Sequence, residues 1–182
     1  SACLVGSEMC IRDSLYAGLM IAPGDDPDRA IKTLEFNCRM GDPETQPIMM
    51  RVKSDLLDAL EHAVEGTLNQ ADIVWDRRTA LGVVLASHNY PNTPRTGDVI
   101  RGLPADAEDC MVFHAATELD GDDTKTTGGR VLCVTALGDS VKMARDRVYE
   151  AIDGIHFDGR QYRSDIGWRA LKPSQQKPKS HA

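Results

Sequence analysis

The residues best placed to do chemistry lie between positions 33 and 50, in the string TLEFNCRMGDPETQPIMM. Its first part has strand propensity and carries a carboxylate and an amide two positions apart, Glu35 and Asn37. Residues i and i+2 of a strand share a face, so these side chains aim two oxygen donors at one point, and Arg39 follows if the strand extends that far. Hard oxygen ligands beside a guanidinium suit Mg²⁺ and a phosphate or carboxylate. The pattern indicates a metal-assisted anion site that ends at a turn, Gly41-Asp42-Pro43.

The same strand also has a simpler interpretation. Leu34, Phe36 and Cys38 alternate with the polar residues and form an apolar face. A strand that buries one face often leaves the other in water, so Glu35 and Asn37 could be an ordinary solvated face. The strand by itself leaves both interpretations open.

Hydrophobic periodicity predicts the elements that hold this strand in place. Residues 15–21 read as a buried strand, which returns through a polar turn at 22–29 to a second strand at 30–38. A helix is predicted over residues 47–65, and Gly66 is suited to end it. We therefore expect a β-hairpin followed directly by a long helix.

The second half of the chain is predicted to be rich in strands. The pattern favours an α+β fold, in which residues 15–70 form one domain and residues 71–171 form a mainly antiparallel, β-rich domain with one helix. The elements expected in this second domain are strands at 79–87, 111–119 and 130–137, a hairpin tip at 119–129, a helix at 140–152 and short strands within 155–171.

Composition and charge exclude several classes of function. The 182 residues are 41% hydrophobic, and no apolar run approaches the ~20 residues of a membrane span. The net charge of −7 argues against nonspecific nucleic-acid binding. The five cysteines contain no Cys-x-x-Cys pair, which removes support for zinc and dithiol sites. We expect a cytoplasmic protein in which Cys38 and Cys133 are buried.

Both ends of the chain are expected to stand apart from the fold. Residues 1–14 resemble the in-frame translation of a sequencing adapter, and they continue no strand or helix period, so we predict that they pack against nothing. Residues 172–182 are rich in Pro, Lys, Ser and Gln, which is typical of a disordered tail.

The strand motif belongs to a wider pattern. Glu-x-Asn-x-Arg resembles the metal-binding strand of ATP-grasp ligases, and the longer string LEFNCRMGDPETQPIMM resembles the phosphoribosylamine–glycine ligase family. The resemblance continues in order through SDLLDAL, ALGVVLAS, GDVIRGLP, VFHAAT, GGRVLCVTALGDS and YRSDIGWRAL, and so covers about residues 15–171. It implies that residues 15–70 are the last strands and helix of an ATP-grasp unit.

The resemblance implies an activity and roles for four residues. The family uses ATP to turn glycine into glycyl phosphate, which reacts with 5-phosphoribosylamine to give glycinamide ribonucleotide in purine synthesis. Glu35 and Asn37 would then hold Mg²⁺ or Mn²⁺. Arg39 would hold the glycine carboxylate or the transferring phosphoryl group, and Asp42 would meet the glycine ammonium.

Two residues of the second domain are further substrate-binding candidates. His114 lies in VFHAAT, a segment that the resemblance places near the active-site cleft, and Arg130 follows two glycines. Each also has a purely structural interpretation, as a satisfied strand histidine and as a charge at a strand edge.

The resemblance also indicates what this segment lacks. In the family, the phosphate-clasping loop, the ATP-binding lysines and the adenine pocket precede it, so we expect the N-terminal half of the enzyme to be missing and the isolated chain to be inactive. The preceding strand, LYAGLMI, carries no acid, which leaves the number of metal ions open. Two alternatives remain: another ATP-grasp carboxylate–amine ligase, and a non-catalytic β-rich interaction module.

Overall fold

The computed structural model describes residues 16–21 and 31–171, which fall into two compact units. Unit 1 consists of the described residues up to Thr45 together with Val52–Asp76. Unit 2 consists of Gln46–Arg51 and the described residues from Arg77 onward.

Three of the predictions lie outside the described residues. They concern the segment 1–14, the turn at 22–29 and the tail at 172–182. In the part of the chain that is described, no helix is both long enough and apolar enough to cross a membrane.

Unit 1 contains the predicted β-hairpin strands. β1 (Tyr16–Ile21) and β2 (Ile31–Asn37) pair in antiparallel fashion, with Tyr16 opposite Asn37. This pairing brings the polar motif at the end of β2 beside the start of β1.

The prediction of one helix over residues 47–65 is wrong, because the structure has two helices there. They are α1 (Thr45–Arg51) and α2 (Leu56–Glu65). The predicted end is confirmed: Gly66 adopts a left-handed conformation with φ of 74°, which glycine reaches without steric cost.

Long-range pairing explains the break between the two helices. Val52 forms an antiparallel bridge with Trp75, and the Lys53 amide donates to the Val74 carbonyl at 2.9 Å. These backbone groups are therefore committed outside a helix. Asp55 then starts α2 as its N-cap, accepting a hydrogen bond from the amide two residues further on at 2.8 Å.

Unit 2 is built on a three-stranded antiparallel sheet with a helix packed on it. The central strand β8 (Arg130–Gly138) lies between β3 (Thr79–Ala86) and β5 (Cys110–His114). Helix α3 (Val141–Gly154) starts at its N-cap Ser140 and packs on β8 and β3. The buried core side chains are Leu81, Val83, Leu85, Ile100, Val131, Leu132, Val134, Ala136, Ala144, Val148, Ile152, Ile155 and Phe157.

A second, smaller sheet corrects the prediction of one strand over residues 111–119. β6 (Thr117–Asp120) pairs with β7 (Asp123–Thr126), which pairs with β4 (Val99–Ile100). The chain thus leaves the first sheet at the end of β5 and enters the second at β6. The predicted hairpin tip at 119–129 is therefore too long, because β7 lies in the middle of that range.

The last elements also differ from the prediction of short strands within residues 155–171. His156 and Gln161 make isolated bridges only, and a short helix, α4 (Trp168–Leu171), ends the described chain. The described strands pair in antiparallel fashion and the helices stand in separate groups along the chain, so the predicted α+β class is confirmed. Cys133 is buried as expected, whereas Cys38 is exposed, like Leu34 and Phe36 on the strand before it.

Candidate functional site

The candidate metal ligands lie on a regularly paired end of β2. Glu35 is opposite Gly18 and Asn37 is opposite Tyr16. The register shift falls just before this stretch, at Leu34, so the alternation of faces from Glu35 to Asn37 is undisturbed. The carboxylate and the amide therefore share one face of the strand.

Gly18 makes room for the Glu35 side chain. A Cβ at position 18 would lie 3.1 Å from Cγ of Glu35, tighter than ordinary carbon contacts. Because Gly18 on β1 has no side chain, the Glu35 side chain on β2 can occupy the space beside it. An added Cβ at position 18 would require the Glu35 side chain to shift by a few tenths of an ångström.

The other two candidates of unit 1 follow β2 rather than continue it. β2 ends at Asn37, and Arg39 lies in a bend, where its Nη1 donates to the Met40 carbonyl at 3.0 Å. The Gly41 carbonyl next accepts hydrogen bonds from the Thr45 amide at 3.0 Å and from the Thr45 hydroxyl at 2.5 Å. This capped turn presents Asp42 at the surface.

The strand faces of this hairpin are open. Leu34 is 63% exposed and Phe36 is 50% exposed, so the apolar face expected to be buried is in solvent. Within residues 16–21 and 31–171, no three His, Cys, Asp or Glu side chains come together as a metal cluster. One carboxylate and one amide on a shared, accessible face fit an ion that takes its remaining ligands from phosphate oxygens and water.

In unit 2, His114 ends β5 and lines a cavity of about 370 Å³. Its Nδ1 is hydrogen-bonded to the Thr117 hydroxyl at 3.0 Å, which fixes the ring across the β5–β6 turn. The other residues that line this cavity are Leu103, Thr117, Glu118, Leu119 and Thr124.

The hairpin beside this cavity is braced by an ion pair. Lys125 on β7 pairs with Asp120 at the end of β6, and this hydrogen bond holds the pKa of the Asp120 carboxyl below its ordinary value. The same contact raises the pKa of Lys125. This ion pair links the two strands of the hairpin, whereas Asp123 on β7 pairs with Arg101 outside it, at 2.7 Å.

Arg130 is the first residue of β8 and is tied to the His114 region through the backbone. The Arg130 carbonyl accepts from the Ala116 amide at 3.0 Å, and the Val131 carbonyl accepts from the Ala115 amide at 3.0 Å. His114 itself pairs with Leu132. The structure therefore brings these two candidates into one hydrogen-bonded frame in unit 2, while Glu35, Asn37, Arg39 and Asp42 belong to unit 1.

Sequence reasoning missed the residues that support this frame. Ser87 is completely buried, and its hydroxyl donates to the Gly128 carbonyl at 2.8 Å. The ring of Tyr90 occupies the space beside Gly129. The paired glycines were the available signal, because two adjacent glycines before a strand indicate a close backbone approach.

Comparisons with known proteins cover almost the whole described chain. Residues 80–169 match the family described as phosphoribosylglycinamide synthetase, C domain. The chain is 59% identical to the phosphoribosylamine–glycine ligase of Ralstonia nicotianae over 158 residues, which is 87% of this chain and 36% of that protein. It is 53% identical to the enzyme of the same name from Escherichia coli O157:H7, covering 88% of this chain and 37% of the relative.

A solved structure agrees with these sequence matches. The phosphoribosylamine–glycine ligase of Thermotoga maritima matches with a TM-score of 0.70 and 34% identity, over 83% of this chain and 36% of that one. The chain thus spans just over a third of the length of the relatives that it matches. It belongs to the phosphoribosylamine–glycine ligase family, whose C domain occupies residues 80–169.

Proposed function

We propose that this chain supplies the metal strand and the C domain of an ATP-dependent ligase that joins glycine to 5-phosphoribosylamine. The observation that carries the proposal is the shared face of Glu35 and Asn37 beside Gly18, in a chain that is 59% identical to a ligase of that name. The product is glycinamide ribonucleotide, an intermediate of de novo purine synthesis. Residues 15–70 then complete an ATP-grasp domain, and residues 71–171 form the C-terminal domain.

The reaction needs two displacements. An oxygen of the glycine carboxylate attacks the γ-phosphorus of ATP, ADP leaves, and glycyl phosphate forms. The amine of 5-phosphoribosylamine then attacks the carbonyl carbon, loses a proton and displaces phosphate. Phosphoryl transfer of this kind depends mainly on positioning and on charge stabilisation, which is what the candidate residues can supply.

Glu35 and Asn37 are the residues that would hold Mg²⁺ or Mn²⁺. When bound, the ion offsets negative charge on the ATP phosphates. A carboxylate and an amide provide oxygen ligands at one side of such an ion and leave its other positions to phosphate and water. Gly18 supports this role because it leaves the Glu35 side chain free of steric competition on β1.

The remaining candidates would orient the substrates. The planar guanidinium of Arg39 suits the glycine carboxylate or the oxygens of the transferring phosphoryl group. Asp42, at the surface of the capped turn, would accept hydrogen bonds from the glycine ammonium. In unit 2, His114 and Arg130 would contact the phosphorylated substrate from their common frame.

The open faces of unit 1 support the view that further polypeptide completes this site. Leu34 and Phe36 lie on a strand whose apolar side chains are half exposed or more. In the proposed enzyme, the upstream region found in the relatives covers them and brings ATP. The ligands are ATP, glycine and 5-phosphoribosylamine, with no role for nucleic acid or membrane, and the setting is the cytoplasm.

Release of phosphate that depends on both glycine and 5-phosphoribosylamine tests this proposal. The isolated chain should show no turnover. A fusion of this chain from Leu15 onward behind the upstream region of the Ralstonia nicotianae relative, called the completed enzyme below, should be active. Clear turnover by the isolated chain would contradict the proposal that the upstream region is needed to bring ATP to the site. An inactive but folded completed enzyme would favour the non-catalytic module.

A further inference from the structure

The segment that joins β7 to β8, residues 126–130, is contacted by a loop from elsewhere in unit 2. The loop covers residues 88–98, and it contacts the beginning of the segment first. The Gly97 amide donates to the Thr126 carbonyl at 2.6 Å, and the Asp98 amide donates to the Thr126 hydroxyl at 3.1 Å. Thr126 is fully buried, so these hydrogen bonds are shielded from water.

The residue preceding the loop holds the other end of the same segment. The Ser87 amide donates to the Gly129 carbonyl at 2.9 Å, and the Ser87 hydroxyl donates to the Gly128 carbonyl at 2.8 Å. Residues 126–130 are therefore hydrogen-bonded at both ends to a single stretch of chain.

The ring of Tyr90 packs against Gly129, beside the second of these hydrogen-bonded ends. A Cβ at position 129 would lie 2.8 Å from Cε2 of Tyr90, closer still to Cδ2, and 3.4 Å from the Pro94 ring. Gly129 does not have a positive φ, so backbone conformation does not require glycine there. The reason for glycine is steric, because the Tyr90 ring occupies the space that a side chain at position 129 would need.

The loop itself has little freedom to let the ring move. The Arg95 amide donates to the His88 carbonyl at 3.0 Å, and the Asn92 amide donates to the Asn89 carbonyl at 2.9 Å. The Arg95 side chain bonds Asp98 at 2.9 Å, and this pairing raises the pKa of its guanidinium. These hydrogen bonds hold the loop together internally, in addition to its hydrogen bonds with residues 126–130.

We propose that Tyr90, seated in the notch left by Gly129, is a positioning residue that fixes the backbone from which Arg130 departs. The Arg130 carbonyl is bonded to the Ala116 amide, so the same ring also holds the β5–β6 turn that follows His114. The inference rests on the proposed function, in which these two residues contact the phosphorylated substrate. Tyr90 acts through them and touches no reacting atom.

Three substitutions separate the parts of this proposal. Tyr90→Phe keeps the ring carbons that face Gly129 and should behave as the parent. Tyr90→Ala empties the notch, and Gly129→Ala expels the ring from it. The matched control is Tyr162→Ala, because Tyr162 is 36% exposed against 37% for Tyr90, lies in the same unit, and has its ring beside Tyr149 and Arg160.

The first measurement is amide hydrogen exchange in this chain, and it does not depend on activity. Exchange at Ser87 and Ala116 should accelerate in Tyr90→Ala and Gly129→Ala, and should be unchanged in Tyr90→Phe and Tyr162→Ala. Unchanged exchange in both Tyr90→Ala and Gly129→Ala would contradict the proposal that the Tyr90 ring fixes this backbone. Because the readout is local, it stands even when the completed enzyme is inactive, which would contradict the proposed function instead.

The second measurement uses the completed enzyme and separates positioning from simple stability. Tyr90→Ala should raise the KM for 5-phosphoribosylamine by about tenfold, because a small misplacement of a binding group weakens productive binding. The KM for ATP should stay within about twofold, and Tyr90→Phe should restore the parent values. Faster exchange with no change in the KM for 5-phosphoribosylamine would overturn the positioning role.

Discussion

Unit 1 and unit 2 differ in how they bury apolar surface. Unit 2 encloses a continuous core between its main sheet and α3, in which Leu132, Val148 and Ile152 are fully buried. Among the described residues of unit 1, only Gly41, Ala59 and Asp76 are buried, while Leu34 and Val64 are more than half exposed. Burial of apolar area is the main source of stability. The chain therefore carries its stability in one unit and its proposed metal ligands in the other.

This contrast explains why the proposed site needs more polypeptide than the proposed C domain does. A catalytic group must be held by packed neighbours to within a fraction of an ångström. The Glu35 strand has one paired neighbour, β1, and little beneath it. The frame around Arg130 has a buried core directly behind it.

Hydrogen exchange across the whole chain should give the largest contrast. Amides in the middle of β8 should exchange only through global unfolding, whereas those of β2 should open locally. We expect protection factors that differ by about three orders of magnitude or more. Equal protection of Phe36 and Val134 would show that unit 1 has a core of its own.

A matched pair of leucine truncations should give the next largest effect. Leu132→Ala removes a side chain that is 0% exposed, and should lower the free energy of unfolding by about 2–5 kcal/mol. Leu34→Ala removes one that is 63% exposed, and should change it by less than about 0.5 kcal/mol. Urea denaturation followed by circular dichroism measures both. A comparable loss in the two variants would contradict the contrast.

Acid should weaken unit 2 slightly through its surface carboxylates. The hydrogen bond from Arg163 holds the pKa of Asp165 below its ordinary value, as Lys125 does for Asp120. A depressed folded pKa stabilises the fold above the ordinary value, and this contribution is lost as pH falls through the lower folded value, below about pH 4.

Two variants check this smallest effect. Arg163→Gln and Lys125→Gln should melt slightly below the parent at neutral pH, and the difference should shrink as the pH falls below about 4. Arg39→Gln in unit 1 is the control, because the Arg39 guanidinium donates to the backbone carbonyl of Met40, which does not titrate. A difference that grew as the pH fell would have the wrong sign for these pairs.

Local patterns in the sequence predicted much of the fold. The hairpin strands, the start of α3 near Ser140 and the helix end at Gly66 all follow from periodicity and from residue types that act within a few positions. The shared face of Glu35 and Asn37 was likewise predictable, because strand geometry alone determines it. The roles of the candidate residues remain predictions.

Contacts between distant parts of the chain account for what was missed. The helix break at Val52 depends on pairing with Trp75, and the division of residues 111–119 depends on β6 joining a different sheet from β5. The packing of Tyr90 against Gly129 is a contact between residues far apart in the sequence. The exposure of Leu34 was unpredictable because alternation identifies an apolar face without saying what covers it.

Turnover of the completed enzyme with Glu35→Gln tests the central claim most directly. The substitution keeps the size of the side chain and removes the charge that would hold Mg²⁺ beside Asn37. Glu61→Gln, on the exposed surface of α2, is the matched control. We expect phosphate release that depends on glycine and 5-phosphoribosylamine to fall by about a hundredfold or more in Glu35→Gln and to stay at the parent rate in Glu61→Gln. Full activity in Glu35→Gln would contradict the assigned metal role.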